Sequence, residues 1–130
     1  MIIKNIALAG HAGTGKTTLL EALLYQGGCV ERMGSVAAGT TVSDAAPEEI
    51  KRHSSVYTAT GSIMLDGQKI NLLDTPGMFD FAGGMVQGIS AADCVMITVS
   101  GKSGVGWARK RHTVQQRASR ECLWSQSWTM

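Results

Sequence analysis

The sequence has few cysteines and no long apolar run, and each shortage excludes a class of protein. The three cysteines, Cys29, Cys94 and Cys122, are widely separated, a spacing that fits neither a disulfide framework nor a zinc site. No apolar run approaches the ~20 residues that a membrane-spanning helix needs. The N-terminus also lacks the pattern of a secretory signal peptide. We therefore expect a reduced, cytoplasmic protein that does not associate with a membrane.

The charge of the chain is unevenly distributed. With 130 residues, of which 44% are hydrophobic and 17% charged, the chain has the composition of one globular domain. Residues 1–100 contain 6 Lys and Arg against 9 Asp and Glu, whereas residues 101–130 contain 6 against 1. The character of the chain therefore changes near residue 100.

A glycine-rich stretch, GHAGTGKTT, follows the apolar run IIKNIALA directly. It matches the pattern G-x-x-x-x-G-K-[ST], in which backbone N–H groups surround a β-phosphate, the lysine reaches the β and γ oxygens, and the hydroxyl binds Mg²⁺. A helix that begins at such a loop also directs its positive end at the phosphates. The candidate phosphate-binding residues are Gly10, His11, Ala12, Gly13, Thr14, Gly15, Lys16, Thr17 and Thr18.

A second candidate element is the sequence DTPG, Asp74 to Gly77, which ends a predicted strand. In P-loop proteins an acidic residue at this position holds Mg²⁺, and the glycine N–H can bond a γ-phosphate. DTPG alone is also an ordinary turn, but ligands of open α/β sheets bind beyond the carboxyl ends of the strands. We therefore predict that Asp74 and Gly77 contact nucleotide together with Lys16, and that Thr17 and Asp74 hold the metal.

The pattern of apolar residues predicts an α/β protein of the P-loop NTPase class. Its sheet is predicted to be incomplete and mostly parallel, with one antiparallel edge hairpin that turns at Asp66-Gly67. The predicted strands are residues 2–9, 69–74 and 94–99, with 56–65 antiparallel, and the predicted helices are 16–26 and 83–92. A further short helix, opened by Ser43 or Asp44, is expected before Pro47.

Three strings of residues, GHAGTGKTTLLEALLY, GTTVSDAAPEEIKR and INLLDTPGMFDFAGG, resemble the GTP-binding domain of translational GTPases. The likeness is greatest to elongation factor G and its elongation factor G-like paralogues. The resemblance implies GTP or GDP and Mg²⁺ as ligands, the ribosome as partner, and hydrolysis triggered by the ribosome. It also implies that residues 1–105 are the N-terminal part of a GTP-binding domain.

The chain departs from this family at three places. The switch I region, residues 34–55, has Ser55 where the family has a threonine that closes over Mg²⁺; Ser55 is either a metal ligand or an exposed loop serine. Met78 occupies the position of the histidine that orients water, and a thioether cannot donate a hydrogen bond. His11 and His53 are either replacements for it or loop histidines without a catalytic role, so GTPase activity stays open.

The third departure concerns the base. The sequence contains neither the N-K-x-D motif nor the serine-alanine loop, which recognise guanine in the family. Guanine selectivity is therefore implied only by the resemblance, and a P-loop protein of another class, such as an ATPase, remains an alternative.

Residues 106–130 form a basic tail with no helical or strand periodicity. We expect this tail to be disordered or to be an out-of-frame continuation of a longer gene. An alternative is a non-enzymatic module that binds nucleic acid through the tail, with tryptophans stacking on bases. Without an ordered scaffold we do not expect that contact. Its candidate phosphate contacts are Arg109, Lys110, Arg111, Arg117 and Arg120.

Overall fold

A four-stranded sheet in the order β2-β3-β1-β4 forms the centre of the computed structural model, which describes residues 2–101. β1 pairs in parallel with β3 and with β4, whereas β2 pairs with β3 in antiparallel orientation. The predicted mostly parallel sheet with one antiparallel edge hairpin is therefore confirmed. In chain order the elements are β1 (Ile3–Gly10), α1 (Lys16–Gln26), α2 (Pro47–Arg52), β2 (Ala59–Leu65), β3 (Gln68–Asp74), α3 (Ala82–Ala91) and β4 (Cys94–Thr98), with a 3-10 turn at Phe79–Phe81.

The helices α1 and α3 cover opposite faces of the sheet. Successive residues of a strand point to opposite faces, so Leu8 of β1 packs towards α1 while its neighbours Ala7 and Ala9 pack towards α3. The cluster on the α1 face consists of Leu8, Leu20, Leu24 and Leu72. The cluster on the α3 face consists of Ala7, Ala9, Met85 and Ile89. Within residues 2–101 no helix combines the length and apolarity needed to cross a membrane.

A row of polar side chains crosses three strands on the α3 face of the sheet. Ser62 Oγ donates to Asn71 Oδ1 at 2.8 Å, and Asn71 Nδ2 donates to Asn5 Oδ1 at 2.8 Å. These three residues lie opposite one another in the strand pairing. We call this row the amide ladder; it links β2, β3 and β1 through side chains as well as through the backbone.

The hairpin between β2 and β3 turns where the sequence predicts. Asp66 and Gly67 have φ angles of 49° and 73°, which is the pair of positive angles that the tight hairpin turn requires. The predicted boundaries of β1 and α3 differ from the observed ones by one residue, which is the usual uncertainty at the ends of elements.

Two predictions in the region between α1 and β2 are wrong, and one residue explains both. Neither Ser43 nor Asp44 caps α2; Ala46 precedes the helix, and the Glu49 carboxylate accepts its backbone N–H at 3.2 Å. β2 begins at Ala59 rather than at residue 56, because the N–H groups of Val56 and Tyr57 donate to Glu49. The basic tail, residues 106–130, lies outside the described residues, so the predictions for it stay predictions.

Candidate nucleotide-binding site

The phosphate loop connects the carboxyl end of β1 to the first turn of α1. Its glycines Gly10, Gly13 and Gly15 have φ angles of 150°, 79° and 88°, a region that residues with a Cβ rarely adopt. A Cβ on Gly10 would also lie 2.5 Å from the carbonyl oxygen of Thr98 on β4. The backbone can therefore curl tightly beside the sheet, and the N-terminus of α1 faces the cleft.

Lys16 points back into the loop that it follows. Its Nζ donates to the carbonyl oxygen of His11 at 3.0 Å, and the side chain is buried. Burial lowers the pKa of Lys16, while the charges of Asp74 and Asp44 act in the opposite direction. An ammonium held by one carbonyl in a poorly solvated loop is positioned to exchange that bond for a phosphate oxygen.

Thr17, Asp74 and Ser55 meet below the loop, although they come from three parts of the chain. Thr17 Oγ1 donates to Asp74 Oδ2 at 2.6 Å and lies 3.1 Å from Ser55 Oγ. Asp74 is fully buried, and this burial raises its pKa from 3.8 to about 6, against the opposing effects of the Thr17 hydrogen bond and the Lys16 charge. The three residues predicted to hold a metal are thus brought together.

The loop that contains DTPG is docked against the phosphate loop through backbone groups. The N–H of Ala12 donates to the carbonyl oxygen of Gly77 at 3.1 Å, and Thr75 Oγ1 donates to the carbonyl oxygen of Leu8 at 2.6 Å. A Cβ on Gly77 would collide with Lys16 Nζ. Only glycine therefore allows the two loops to approach this closely.

Sequence reasoning assigned Asp44 to a helix cap and missed its place in the site. Asp44 is only 4% exposed, and burial raises its pKa, opposed by a hydrogen bond from Ser55 and by the charge of Lys16. An aspartate before a proline-led helix is the usual signal for a cap. The absence of periodicity in residues 29–54 and the resemblance of residues 34–55 to switch I were the signs that this segment had another role.

The polar groups of the site fit Mg²⁺. Asp44 Oδ1 and Asp74 Oδ1 are both buried, and among the described residues neither has a hydrogen-bond partner. Within residues 2–101 no group of three or more His, Cys, Asp and Glu side chains is arranged to hold a metal. The two carboxylate oxygens without partners suit Mg²⁺, which binds one or two carboxylates and keeps several waters.

An open cleft lies above these groups. Gly10, His11 and Thr14 do not line it; Thr14 Oγ1 instead donates to the carbonyl oxygen of His11 at 2.7 Å. The lining residues are Ala12, Gly13, Gly15, Lys16, Thr17, Thr18, Val36, Asp44, His53, Ser54, Ser55, Gly77 and Met78. Two loops and residues 36–55 therefore enclose one site.

Met78 and His53 both line this cleft, whereas His11 does not. Ser54 Oγ donates to the sulfur of Met78 at 3.6 Å, and His53 Nδ1 lies 3.2 Å from the carbonyl oxygen of Val36. The catalytic roles considered for His11 and His53 stay predictions.

Comparisons with known proteins agree with this geometry. The model of the elongation factor Tu GTP-binding domain matches residues 1–121. An elongation factor G-like protein of Mycobacterium tuberculosis is 46% identical over 103 residues, which are 79% of this chain and 14% of that protein. The tetracycline resistance protein TetS of Listeria monocytogenes is 39% identical over 105 residues, 81% of this chain and 16% of that protein. The chain thus spans a small fraction of the length of these curated relatives.

Solved structures show the same fold. A crystal structure of a Thermus thermophilus protein matches with a TM-score of 0.86 at 39% identity, covering 94% of this chain and 19% of that one. A bacterial selenocysteine-specific elongation factor matches with a TM-score of 0.74 at 23% identity, covering 96% and 19%; at this identity the likeness concerns the fold alone. Because the family model covers most of the chain and the phosphate loop and DTPG loop converge on one cleft, this chain belongs to the translational GTPases, in the family of the elongation factor Tu GTP-binding domain.

Proposed function

We propose that the chain binds GTP and GDP together with Mg²⁺ in the cleft between the phosphate loop and the DTPG loop. The observation that carries this proposal is the convergence of Lys16 and Thr17 with Asp74, which lies 57 residues after Thr17 in the sequence. Thr17 Oγ1 donates to Asp74 Oδ2 at 2.6 Å, and the Asp74 charge acts on the Lys16 ammonium. Hydrogen-bond donors surround the space where phosphates would lie, and the buried carboxylates lie where a cation would be needed.

Each residue has a defined role in the proposed complex. The backbone N–H groups of Gly13 and Gly15, which line the cleft, hold the β-phosphate, Lys16 neutralises the β and γ oxygens, and the Gly77 N–H bonds the γ-phosphate. Thr17, Asp74 and Ser55 would hold the metal, Thr17 and Ser55 through their hydroxyl groups and Asp74 through its carboxylate. A cation held there would supply positive charge next to the phosphates.

Hydrolysis in the isolated chain is proposed to be slow. Met78 occupies the edge of the cleft next to Ser54, and its thioether can accept a weak hydrogen bond but cannot donate one to a water. The chain therefore lacks an aligned water-orienting group at this position, and the positioning of water by an acid or base commonly contributes roughly 10²- to 10⁴-fold to a rate.

We also propose that the site serves a cytoplasmic, elongation factor G-like GTPase with the ribosome as its partner, and that residues 1–105 are the N-terminal part of its GTP-binding domain. The support is the family membership and the 46% identity to an elongation factor G-like protein over 103 residues. The ATPase and nucleic-acid alternatives have no comparable support from the described residues or from the relatives.

The test is nucleotide binding by the purified full chain, followed with a fluorescent GDP analogue. Binding should require Mg²⁺, should be lost in Lys16→Ala, and should persist in the control Lys4→Ala, which removes an exposed lysine at the other end of β1. Excess GTP should displace the analogue, while ATP should not. If Lys16→Ala and Lys4→Ala lost binding of the analogue to the same extent, the assignment of the phosphate site would be contradicted. If ATP displaced the analogue as well as GTP does, guanine selectivity would be contradicted.

A further inference from the structure

Two buried glutamates outside the phosphate loop fix residues 34–57, here called the covering segment: Glu21 ties the segment to α1, and Glu49 ties residues of the segment to one another. We propose that Glu21 and Glu49 are positioning residues that fix Asp44 and Ser55 over the cleft and thereby set the rate at which nucleotide leaves it. The part concerning nucleotide release rests on the function proposed above. The part concerning the covering segment does not.

Glu21 links the covering segment to α1. Its side chain is 0% exposed, and its two carboxylate oxygens accept different backbone N–H groups, from Val42 at 2.7 Å and from Gly34 at 3.2 Å. The fit at Gly34 is tight, since a Cβ there would lie 2.6 Å from Glu21 Oε2. A carboxylate buried in this way is stabilised by the amide dipoles that it accepts.

Glu49 links the start of α2 to the C-terminal end of the covering segment. Its Oε1 accepts the N–H groups of Val56 and Tyr57, both at 3.0 Å, and its Oε2 accepts the N–H of Ala46 at 3.2 Å. The side chain is 3% exposed. Glu49 therefore joins the start of α2 to the residues that lead into β2.

These bonds occur next to the two side chains that reach the site. Val42 and Ala46 lie two residues on either side of Asp44, and Val56 directly follows Ser55. Fixing the backbone at these positions leaves Asp44 and Ser55 little freedom to leave Lys16 and Thr17. All of these bonds join protein groups, so they position the covering segment through the protein's own contacts.

The covering segment also forms one wall of the cleft, through Val36, Asp44, His53, Ser54 and Ser55. A bound nucleotide would have to leave past this wall. Opening the wall requires the backbone N–H groups to leave Glu21 or Glu49, and buried donors left without partners are costly. We infer that these two carboxylates slow nucleotide release.

The experiment compares Glu21→Gln and Glu49→Gln with two matched controls, Glu31→Gln and Glu48→Gln, whose parent residues are exposed. The first measurement is amide hydrogen exchange in the nucleotide-free full chain. Because glutamine keeps one acceptor oxygen, exchange should be about tenfold faster at Val42 or at Gly34 in Glu21→Gln, and at Val56 and Tyr57 or at Ala46 in Glu49→Gln, as expected for loss of a hydrogen bond to a charged group. The controls should match the wild type.

The second measurement is the dissociation rate of the fluorescent GDP analogue by stopped flow, at a temperature where every variant is folded. Release should be about tenfold faster in Glu21→Gln and Glu49→Gln, with the association rate unchanged. The analogue should dissociate faster from Glu21→Ala than from Glu21→Gln, because glutamine keeps one acceptor oxygen. A general loss of stability would not produce this graded effect on release alone.

Unchanged exchange in both glutamine variants would overturn the anchoring role, and faster exchange with unchanged release would overturn the control of nucleotide release. If the wild-type chain binds no nucleotide, the function proposed above fails while the exchange measurement still decides the anchoring role. If one variant does not fold, the other carries the test, since the two glutamates hold different amides.

Discussion

Thr17 and Asp74 are 57 residues apart in the sequence, yet the Thr17 hydroxyl donates to the Asp74 carboxylate at 2.6 Å. Parallel pairing of β1 and β3 places Leu8 opposite Asp74, so the two loops begin at the same end of the sheet. The site is therefore produced by strand pairing, and each test below perturbs one physical element of it.

Because the Asp74 carboxylate is buried, the metal-free protein should be more stable in mild acid, where this group is protonated, than at neutral pH. Its pKa is raised from 3.8 to about 6 by burial, so its stabilising contribution is complete below 3.8 and is lost as the pH rises through 6. Asp74→Asn, which has no charge to bury, should therefore gain up to about 3 kcal/mol over the wild type at pH 7.5. This advantage should shrink as the pH falls to 4.

Both proteins are unfolded with urea in the presence of EDTA from pH 4 to pH 8. The measured quantity is the difference between their free energies of unfolding at each pH. Asp80→Asn, a change at an exposed carboxylate, is the control and should show no such pH-dependent difference. A constant difference between Asp74→Asn and the wild type across this range would contradict the raised pKa.

Gly77→Ala should abolish nucleotide binding. The new Cβ would collide with Lys16 Nζ and would lie 2.6 Å from the backbone nitrogen of Ala12, forcing the two loops apart. The control is Gly83→Ala in α3, where a Cβ would meet nothing within 4 Å; that change should stabilise the helix by roughly 0.5–1 kcal/mol. Titration with the fluorescent GDP analogue and thermal unfolding of both variants provide the check, and retained affinity in Gly77→Ala would contradict the close docking.

Met78→His should accelerate GTP hydrolysis. An imidazole at this position can hydrogen-bond a water beside Ser54, and we expect a gain of at least about tenfold, within the roughly 10²- to 10⁴-fold that acid–base groups supply. Met78→Leu keeps the apolar volume without any hydrogen-bonding group and should hydrolyse GTP at the wild-type rate. Single-turnover assays with and without ribosomes, at matched nucleotide occupancy, measure both. A slower Met78→Leu would show that the thioether contributes to the reaction.

Leu72→Ala should destabilise the domain by about 2–5 kcal/mol, the usual cost of a cavity in a packed core. Leu72 is 2% exposed in the cluster between the sheet and α1. Leu65→Ala is the matched change on the neighbouring strand, where the leucine is 55% exposed, and it should alter the free energy of unfolding only slightly. If chemical unfolding showed the same decrease in the free energy of unfolding for Leu72→Ala and Leu65→Ala, the placement of the core would be contradicted.

The parts of the fold and site that could be predicted from the sequence are those with a local signal. The phosphate loop has a fixed spacing, the apolar strands have a fixed period, and Asp66-Gly67 has the chemistry of one turn type. Lys16 and Asp74 could be paired because both follow apolar strands, and parallel strands end at the same edge of a sheet.

Glu21, Asp44 and Glu49 could not be found in this way. Each is an acidic residue whose neighbours in the sequence look like those of an exposed residue, and each is buried because residues 34–57 fold back over α1. Burial of this kind depends on contacts between distant segments. Local propensity therefore assigned Ser43 or Asp44 to a helix cap. It also extended β2 to Val56, whose backbone N–H donates to the Glu49 carboxylate and not to a neighbouring strand.

The amide ladder has a consequence for the accuracy of assembly. If β3 slid along β1 by two residues, Ile70 and Leu72 would still face α1, so apolar patterning alone does not distinguish that arrangement from the native one. The slide would nevertheless carry Asp74 about 7 Å from its native height beside Thr17. It would also separate Asn71 from Asn5, leaving their amide groups without the partners they have in the native pairing, while Ser62 would move together with Asn71 because the tight hairpin fixes the register of β2 and β3. The hydrogen bond between Asn71 and Asn5, at the other end of these strands, thus favours the one register that places the Asp74 carboxylate beside Thr17.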